Sequence, residues 1–149
     1  MTSAIPRIQV GQKLPQTVIK MMGKEGPTSV KVADLFTGKR GVLFALPGAF
    51  TPTCSSRHLP GFVELADKLR EKNKFDVIAC LSVNDAFVMD AWGAQQKADT
   101  ANIMMLADGN GDFSLRGCPA LLKKCNKKNI GCCKILLLLE WGNDLFVTP

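Results

Sequence analysis

The chain has 149 residues, 46% of them hydrophobic and 21% charged, which suits one globular domain (residues 1–149) and excludes a disordered segment. No uninterrupted apolar run is longer than residues 135–139, which is too short for a membrane-spanning helix. The net charge of +6 admits nucleic acid as a partner, but no aromatic residues interleave with the lysines at 123, 124, 127 and 128, so we expect a solvated basic face and no nucleic acid.

The first forty residues predict short elements. Apolar residues alternate within 5–20, and Gly11 and Pro15 interrupt the alternation. Residues 23–27, Gly-Lys-Glu-Gly-Pro, are typical of a turn, and residues 29–32 indicate a short strand. Residues 33–36 predict one helical turn that ends at Gly38.

Strands and helices alternate through the middle of the chain. The predicted strands are 42–46, 77–83 and 103–107. One predicted helix begins after Cys54, and a second spans 86–97. Pro60 and Gly61 should kink the first helix near its start, and either Asn84 or Asp85 can cap the second. This order predicts an α/β fold with a parallel core and right-handed crossovers.

The C-terminal segment 114–149 has an unusual content of Cys, Lys and Leu, which an alternative exon or a shifted reading frame would explain. Its predicted elements are a turn at 117–119, a short helix at 120–124, a strand at 134–140, a turn at 141–144 and a returning strand at 145–147. The last three would form a hairpin at a sheet edge.

Cys54 stands where an apolar strand passes through a Pro/Gly-rich turn into a helix. Amide groups and the positive dipole end of a helix stabilise a thiolate, and active sites in parallel sheets lie beyond the carboxyl ends of strands. We therefore interpret Cys54 as a nucleophile rather than a small buried apolar residue. His58 could share a helix face with it, but we disfavour a thiol protease because this single histidine follows the helix start instead of facing the thiol from another element.

The pattern Pro47-x-x-x-Thr51-x-x-Cys54 resembles the active-site signature of the peroxiredoxins. The strings at 58–62, His-Leu-Pro-Gly-Phe, and at 79–88, Ala-Cys-Leu-Ser-Val-Asn-Asp-Ala-Phe-Val, resemble the type-five branch of that family. The resemblance covers residues 5–113. It implies a thioredoxin-like fold, with a central mixed sheet flanked by helices.

The resemblance also implies an activity: a peroxidase that reduces hydrogen peroxide and alkyl hydroperoxides without a cofactor, using electrons from thioredoxin or another thiol. Cys54 would attack the O–O bond and become a sulfenic acid. The Thr51 hydroxyl would donate to the thiolate and accept from the peroxide, or only cap the helix. Pro47 would shield the thiolate from water, or only form the turn, and the backbone N–H groups of Thr53 and Cys54 would hold the peroxide oxygens.

Two features of the family pattern are missing. The arginine that precedes an apolar strand in the type-five pattern is matched best by Lys134, which keeps the charge but loses the fork of donors. Arg116 is a second candidate in a different context. The late resolving cysteine has no counterpart in the family's motif, and the cysteines left as stand-ins are Cys118, Cys125, Cys132 and Cys133.

These gaps leave two possibilities open besides resolution by one of the stand-in cysteines. An external thiol could resolve a one-cysteine enzyme, or the chain could be an impaired peroxiredoxin-like protein that acts as a redox sensor or binding partner. A zinc site is disfavoured because Cys125, Cys132 and Cys133 do not form a C-x-x-C arrangement, and Cys80, in a predicted strand, should belong to the core.

The expected location is the reducing cytoplasm, because residues 1–10 lack the apolar segment of a secretory signal. Type-five relatives can also reside in mitochondria or peroxisomes, but the sequence carries neither signal. We expect no membrane partner, and the sequence leaves a homodimer open.

Overall fold

A computed structural model describes residue 11 and residues 13–46, 48–117, 135–140 and 144–148 of the protein. The strands in these ranges are β1 (Val18–Gly23), β2 (Gly26–Lys31), β3 (Gly41–Leu46), β4 (Val77–Ser82), β5 (Met104–Ala107), β6 (Ile135–Glu140) and β7 (Asp144–Thr148). The helices are α1 (Val32–Phe36), α2 (Leu59–Asn73), α3 (Ala86–Gln95) and α4 (Asp112–Gly117), and a π-helical turn, Cys54–His58, leads into α2. The predicted central mixed sheet with flanking helices is confirmed.

The seven strands form one sheet in the order β2-β1-β5-β4-β3-β6-β7. β3 pairs with β4 and β4 with β5 in parallel, whereas the other neighbours are antiparallel. The predicted parallel core is therefore confirmed. The predicted C-terminal hairpin is also present, with β6 beside β3 and β7 at the sheet edge.

The core lies on both faces of the sheet. All six residues of β3 and of β4 are buried, which explains why their sequences are apolar without alternation. Successive side chains of a strand point to opposite faces, and Leu43 and Ala45 accordingly enter one cluster while Phe44 enters the other. The second cluster contains Cys54 and Cys80, so the cysteine of interest is packed into the core.

Several predicted boundaries were wrong by a few residues. The β1–β2 hairpin pairs Gly23 with Gly26, so its turn is only residues 24–25. Helix α3 ends at Gln95 rather than at Lys97, because Lys97 adopts a left-handed φ of 60° and the Ala98 N–H turns back to the Gly93 carbonyl at 2.9 Å.

The helix after Cys54 is irregular at its start, as Pro60 and Gly61 predicted, but the irregularity is a π turn that precedes them. The Leu59 N–H donates to the Cys54 carbonyl across five residues, which defines that turn. Pro60 is tolerated in the first turn of α2, but if the helix were regular back to Ser56, its ring would clash with the Ser56 carbonyl. A wider turn before Pro60 avoids this clash.

Helix α4 was not predicted. The buried Asp108 carboxylate begins it by accepting hydrogen bonds from the Phe113 N–H (3.1 Å), the Ser114 N–H (2.8 Å) and the Ser114 hydroxyl (2.7 Å). The predicted turn at 117–119 overlaps its last residue, Gly117. The predicted helix at 120–124 lies outside the described residues. Among the described helices, none is long and apolar enough to cross a membrane.

Candidate active site

Cys54 lies beyond the carboxyl end of β3, in the first turns of a helical segment. β3 ends at Leu46, the chain turns through residues 48–51, and the Ser55 N–H donates to the Thr51 carbonyl at 2.9 Å. The Cys54 side chain is only 1% exposed. The arrangement holds a thiol at a helix start, where backbone dipoles favour negative charge, in a site that excludes bulk water.

A hydrogen bond to Asn84, two residues after the end of β4, anchors the turn before Cys54. The Ala49 N–H donates to Asn84 Oδ1 at 2.9 Å, and the Ser82 hydroxyl donates to the same oxygen at 2.7 Å. The following residue, Phe50, has a left-handed φ of 60°. The sequence offered Asn84 only as an alternative helix cap, but Asp85 takes that place by accepting from the Val88 N–H at 2.8 Å.

A second hydrogen bond holds Ser55, the residue that follows Cys54. The Trp92 indole N–H donates to Ser55 Oγ at 3.0 Å, and the Trp92 side chain is fully buried in α3. The Phe50 ring lies 6.4 Å from the Trp92 ring, at 50° to it. Sequence reasoning missed Ser55 and Trp92 as parts of this site. The only local signal was a tryptophan in a predicted helix, which does not reveal its hydrogen-bond partner.

Thr51 lies three residues before Cys54 and is half-buried. Its hydroxyl donates to the Gly48 carbonyl at 2.8 Å, within the turn. The hydroxyl proton is thus engaged, and the oxygen keeps lone pairs that can accept a hydrogen bond. Thr53, also half-buried, precedes the π turn and makes no capping bond with its side chain.

His58 ends the π turn that Cys54 begins, and it packs among aromatic rings. Its ring centroid lies 5.6 Å from that of Phe44 and 5.8 Å from that of Phe62. The Phe44 and Phe62 rings stack at 3.8 Å. His58 is therefore part of the packing that covers the face of β3 beneath the helix.

Cys80 lies in β4 and is completely buried, which confirms its prediction as a core residue. Burial raises the pKa of the Cys80 thiol well above its usual range, and the charge of a Cys54 thiolate raises it further. Cys80 therefore stays a neutral thiol beside the site.

Pro47, Lys134 and the cysteines at 118, 125, 132 and 133 lie outside the described residues, so their predicted roles stay predictions. The backbone of β6 begins at Ile135, opposite Ala45, near the end of β3 from which the Cys54 turn departs. Arg116 is exposed in the last turn of α4. Among the described side chains, no three of His, Cys, Asp or Glu are grouped so that they could hold a metal ion.

The amino-acid sequence was compared with known protein families and with curated proteins. The sequence model of the Redoxin family matches residues 9–117. The chain is 48% identical over 115 residues to peroxiredoxin-2E, chloroplastic, of Arabidopsis thaliana, a match that covers 76% of this chain and 48% of that protein. The chain thus spans about half the length of the first curated relatives that it matches.

Solved structures agree over almost the whole chain. Reduced Prx3 of Vibrio vulnificus in complex with H₂O₂ superposes with a TM-score of 0.78 at 43% identity, covering 95% of this chain and 89% of that one. Peroxiredoxin 5 of Alvinella pompejana superposes with a TM-score of 0.74 at 32% identity, covering 95% and 88%. These superpositions identify the sheet and its flanking helices as a thioredoxin-like peroxiredoxin fold.

Proposed function

This chain belongs to the peroxiredoxin family, and we propose that it is a peroxidase that reduces hydrogen peroxide and alkyl hydroperoxides through Cys54. The observation that carries the proposal is the position of Cys54 in the first turns of a helix, beyond the carboxyl end of the central strand β3. The thiolate of a cysteine is the nucleophile that attacks a peroxide.

The reaction follows from the thiolate. The Cys54 sulfur attacks one oxygen of the peroxide, the S–O bond forms and the O–O bond breaks. The second oxygen leaves as hydroxide or alkoxide and takes up a proton to become water or an alcohol. Cys54 is left as a sulfenic acid, two electrons more oxidised than the thiol. A peroxide is small, so we expect it to reach a side chain that is only 1% exposed.

Three neighbours of Cys54 would position the peroxide. The Thr51 hydroxyl donates to Gly48, which aims its lone pairs away from that bond and leaves them to accept a proton of the peroxide. The backbone N–H groups of Thr53 and Cys54 belong to a helix start, where such groups bind anionic oxygens. Pro47, by its resemblance to the family's proline, would shield the thiolate from water. Thr51→Val should therefore slow the oxidation step while leaving the turn the same size.

The second half of the cycle needs a thiol from outside the described residues. Cys80 is fully buried with a raised pKa, so it is a poor source of an attacking thiolate. We propose a one-cysteine mechanism in which an external thiol, thioredoxin or another, attacks the sulfenic acid and releases water. A second thiol then reduces the mixed disulfide and regenerates Cys54.

Stopped-flow mixing of the fully reduced protein with a small excess of hydrogen peroxide tests the proposal, followed by mass spectrometry of the oxidised peptide. Cys54→Ser should abolish rapid peroxide consumption. Cys80→Ala is the matched control, because it removes a neighbouring core thiol without burying an unpaired hydroxyl, and it should keep the rapid consumption of peroxide. If Cys54→Ser consumes peroxide as fast as wild type, the proposal is wrong.

A second function is favoured by one feature of the sequence. Lys134 stands where the type-five pattern has arginine, so the chain could be an impaired peroxiredoxin that acts as a redox sensor or binding partner. In that case Cys54 should react with hydrogen peroxide no faster than glutathione does. Rapid oxidation confined to Cys54 would exclude this alternative, whereas slow oxidation spread over the six cysteines would support it.

We place the reaction in a compartment that keeps thiols reduced, with the cytoplasm as first choice. The relatives in Arabidopsis thaliana and rice carry the word chloroplastic in their names, which makes a plastid the main competitor. Fractionation of source cells, with an antibody raised against the protein, distinguishes these locations.

A further inference from the structure

We propose that Asn84 is a positioning residue for the peroxide reaction, an inference that rests on the proposed peroxidase function. Its side-chain oxygen accepts the Ala49 N–H at 2.9 Å and the Ser82 hydroxyl at 2.7 Å. Ala49 belongs to the turn that leads to Cys54, and Ser82 is the last residue of β4. A single oxygen atom therefore fastens the Cys54 turn to the central sheet.

The turn requires such a fastening because its backbone is strained. Phe50, directly after Ala49, has a φ of 60°, a region that residues with a side chain rarely adopt. A conformation of this kind persists only where the surroundings fix it. The Phe50 side chain is 52% exposed, so its packing supplies only part of that restraint. The Asn84 bond fixes the Gly48–Ala49 peptide group, which is next to the peptide group that joins Ala49 to Phe50, and can supply the rest.

The segment that contains Asn84 secures both sides of Cys54. Asn84 binds the turn five residues before the cysteine, and Asp85 begins α3 by accepting from the Val88 N–H. Helix α3 in turn carries Trp92, which donates to Ser55 on the other side of Cys54. The segment that follows β4 thus holds the backbone on both sides of Cys54 in place.

Loss of the Asn84 hydrogen bond should slow the reaction of Cys54 with peroxide more than its reaction with a reagent that needs no alignment. Attack on an O–O bond requires the sulfur, the bond axis and the donors around the peroxide to be aligned, and a shift of about 1 Å can cost 10²-fold in rate. Alkylation by iodoacetamide has no partner groups to align. Both reactions consume the thiolate, so a change in the fraction ionised cancels in the ratio of the two rate constants.

The experiment measures that ratio, the rate constant with hydrogen peroxide divided by that with iodoacetamide, for Cys54 at one pH. Asn84→Ala should lower the ratio about tenfold or more. Asn84→Asp keeps an acceptor for both donors and should recover most of the loss. Ser82→Ala removes the other hydrogen bond to the same oxygen but leaves the Ala49 bond, so its ratio should stay within about twofold of wild type. Asn110→Ala, at an exposed turn, is the matched control for the substitution itself.

Each outcome decides the proposal. A low ratio in Asn84→Ala, with Asn84→Asp and Ser82→Ala near wild type, supports a positioning role. If Asn84→Ala keeps the wild-type ratio, or if Ser82→Ala loses as much, Asn84 is only a structural residue and the proposal is wrong. If the wild-type ratio is no higher than that of glutathione, the peroxidase function itself fails and the positioning role fails with it. Circular dichroism of each variant identifies any that does not fold.

Discussion

The indole N–H of Trp92 lies 3.0 Å from the hydroxyl oxygen of Ser55, so a buried residue of α3 is hydrogen-bonded to the residue that follows Cys54. The two residues are far apart in the chain: Trp92 lies in α3, which follows β4, and Ser55 lies in the π turn that follows β3. Because Trp92 is fully buried and Ser55 is half-buried, water cannot easily replace either partner. The bond therefore couples the stability of α3 to the geometry around Cys54.

Removing either partner of this bond should destabilise the protein. Trp92→Phe keeps an aromatic ring but loses the donor and leaves space in the core, so we expect a loss of about 1–3 kcal/mol in the free energy of unfolding. Ser55→Ala removes only the acceptor and should cost about 0.5–1.5 kcal/mol. Because both substitutions remove the same interaction, the double variant should cost less than the sum of the two. Urea unfolding of the four proteins in the cycle measures this, and strictly additive losses would show that the bond contributes nothing.

The buried thiol of Cys80 should make the stability depend on pH in the alkaline range. Burial raises the Cys80 pKa in the folded protein above the value of about 8.5 in the unfolded chain. Below pH 8.5 or so the thiol is neutral in both states and its contribution is complete. Above that pH the unfolded chain loses the proton first, so stability falls as pH rises towards the folded pKa, by up to about 1.4 kcal/mol per pH unit.

Urea unfolding of wild type and Cys80→Ala between pH 7 and pH 10 tests this linkage. The variant should be less stable than wild type at pH 7, because a buried side chain is truncated, but its decline above about pH 8.5 should be shallower. Parallel pH curves for the two proteins would contradict the assignment. Native alkylation followed by mass spectrometry gives an independent check, since Cys80 should be labelled only after denaturation.

The carboxylate of Asp108 should be the main stabiliser of α4. It is 2% exposed and accepts hydrogen bonds from two backbone N–H groups and the Ser114 hydroxyl. Asp108→Ala would leave these donors without an acceptor in a buried place, and we expect a loss of about 1–3 kcal/mol in the free energy of unfolding. Asp112→Ala, at an exposed position of the same helix, should change stability by less than about 0.5 kcal/mol. Equal effects of the two substitutions would refute the capping role.

The sequence predicted the parallel core and the place of Cys54 because both depend on local patterns. A strand buried on both faces reads as a continuous apolar run, and residues 42–46 and 77–83 show that run clearly. A Pro/Gly-rich turn before an amphipathic segment marks the strand-to-helix junction in the same direct way. These signals need no knowledge of distant partners.

The ties around Cys54 could not be predicted, because they depend on tertiary contacts. Asn84 and Asp85 are both good helix caps by residue type, and only the position of the Ala49 N–H decides which of them is free to cap α3. The cap of α4 is similar, since Asp108 lies several residues before the helix and reaches it across a turn. The π turn at Cys54–His58 has no sequence pattern beyond the proline that follows it.

Replacing Lys134 with arginine should speed the reaction of Cys54 with hydrogen peroxide. Lys134 directly precedes β6, whose first residue pairs with Ala45 near the carboxyl end of β3, the end that leads to Cys54. A guanidinium offers a planar fork of donors that can hold the peroxide and the thiolate together, whereas an ammonium offers a single charged point. One further charge-assisted hydrogen bond in the transition state, at about 1.4 kcal/mol, would raise the rate constant about tenfold.

Stopped-flow oxidation of Lys134→Arg, Lys134→Gln and Lys128→Arg measures this effect. Lys134→Gln removes the positive charge and should react more slowly than wild type. Lys128→Arg, in the basic stretch of the sequence, is the matched control and should leave the rate unchanged. If arginine at position 134 brings no gain and glutamine no loss, the charge at this position does not act on Cys54. The geometry of the turn that is hydrogen-bonded to Asn84 would then be the main influence on the rate of Cys54 oxidation.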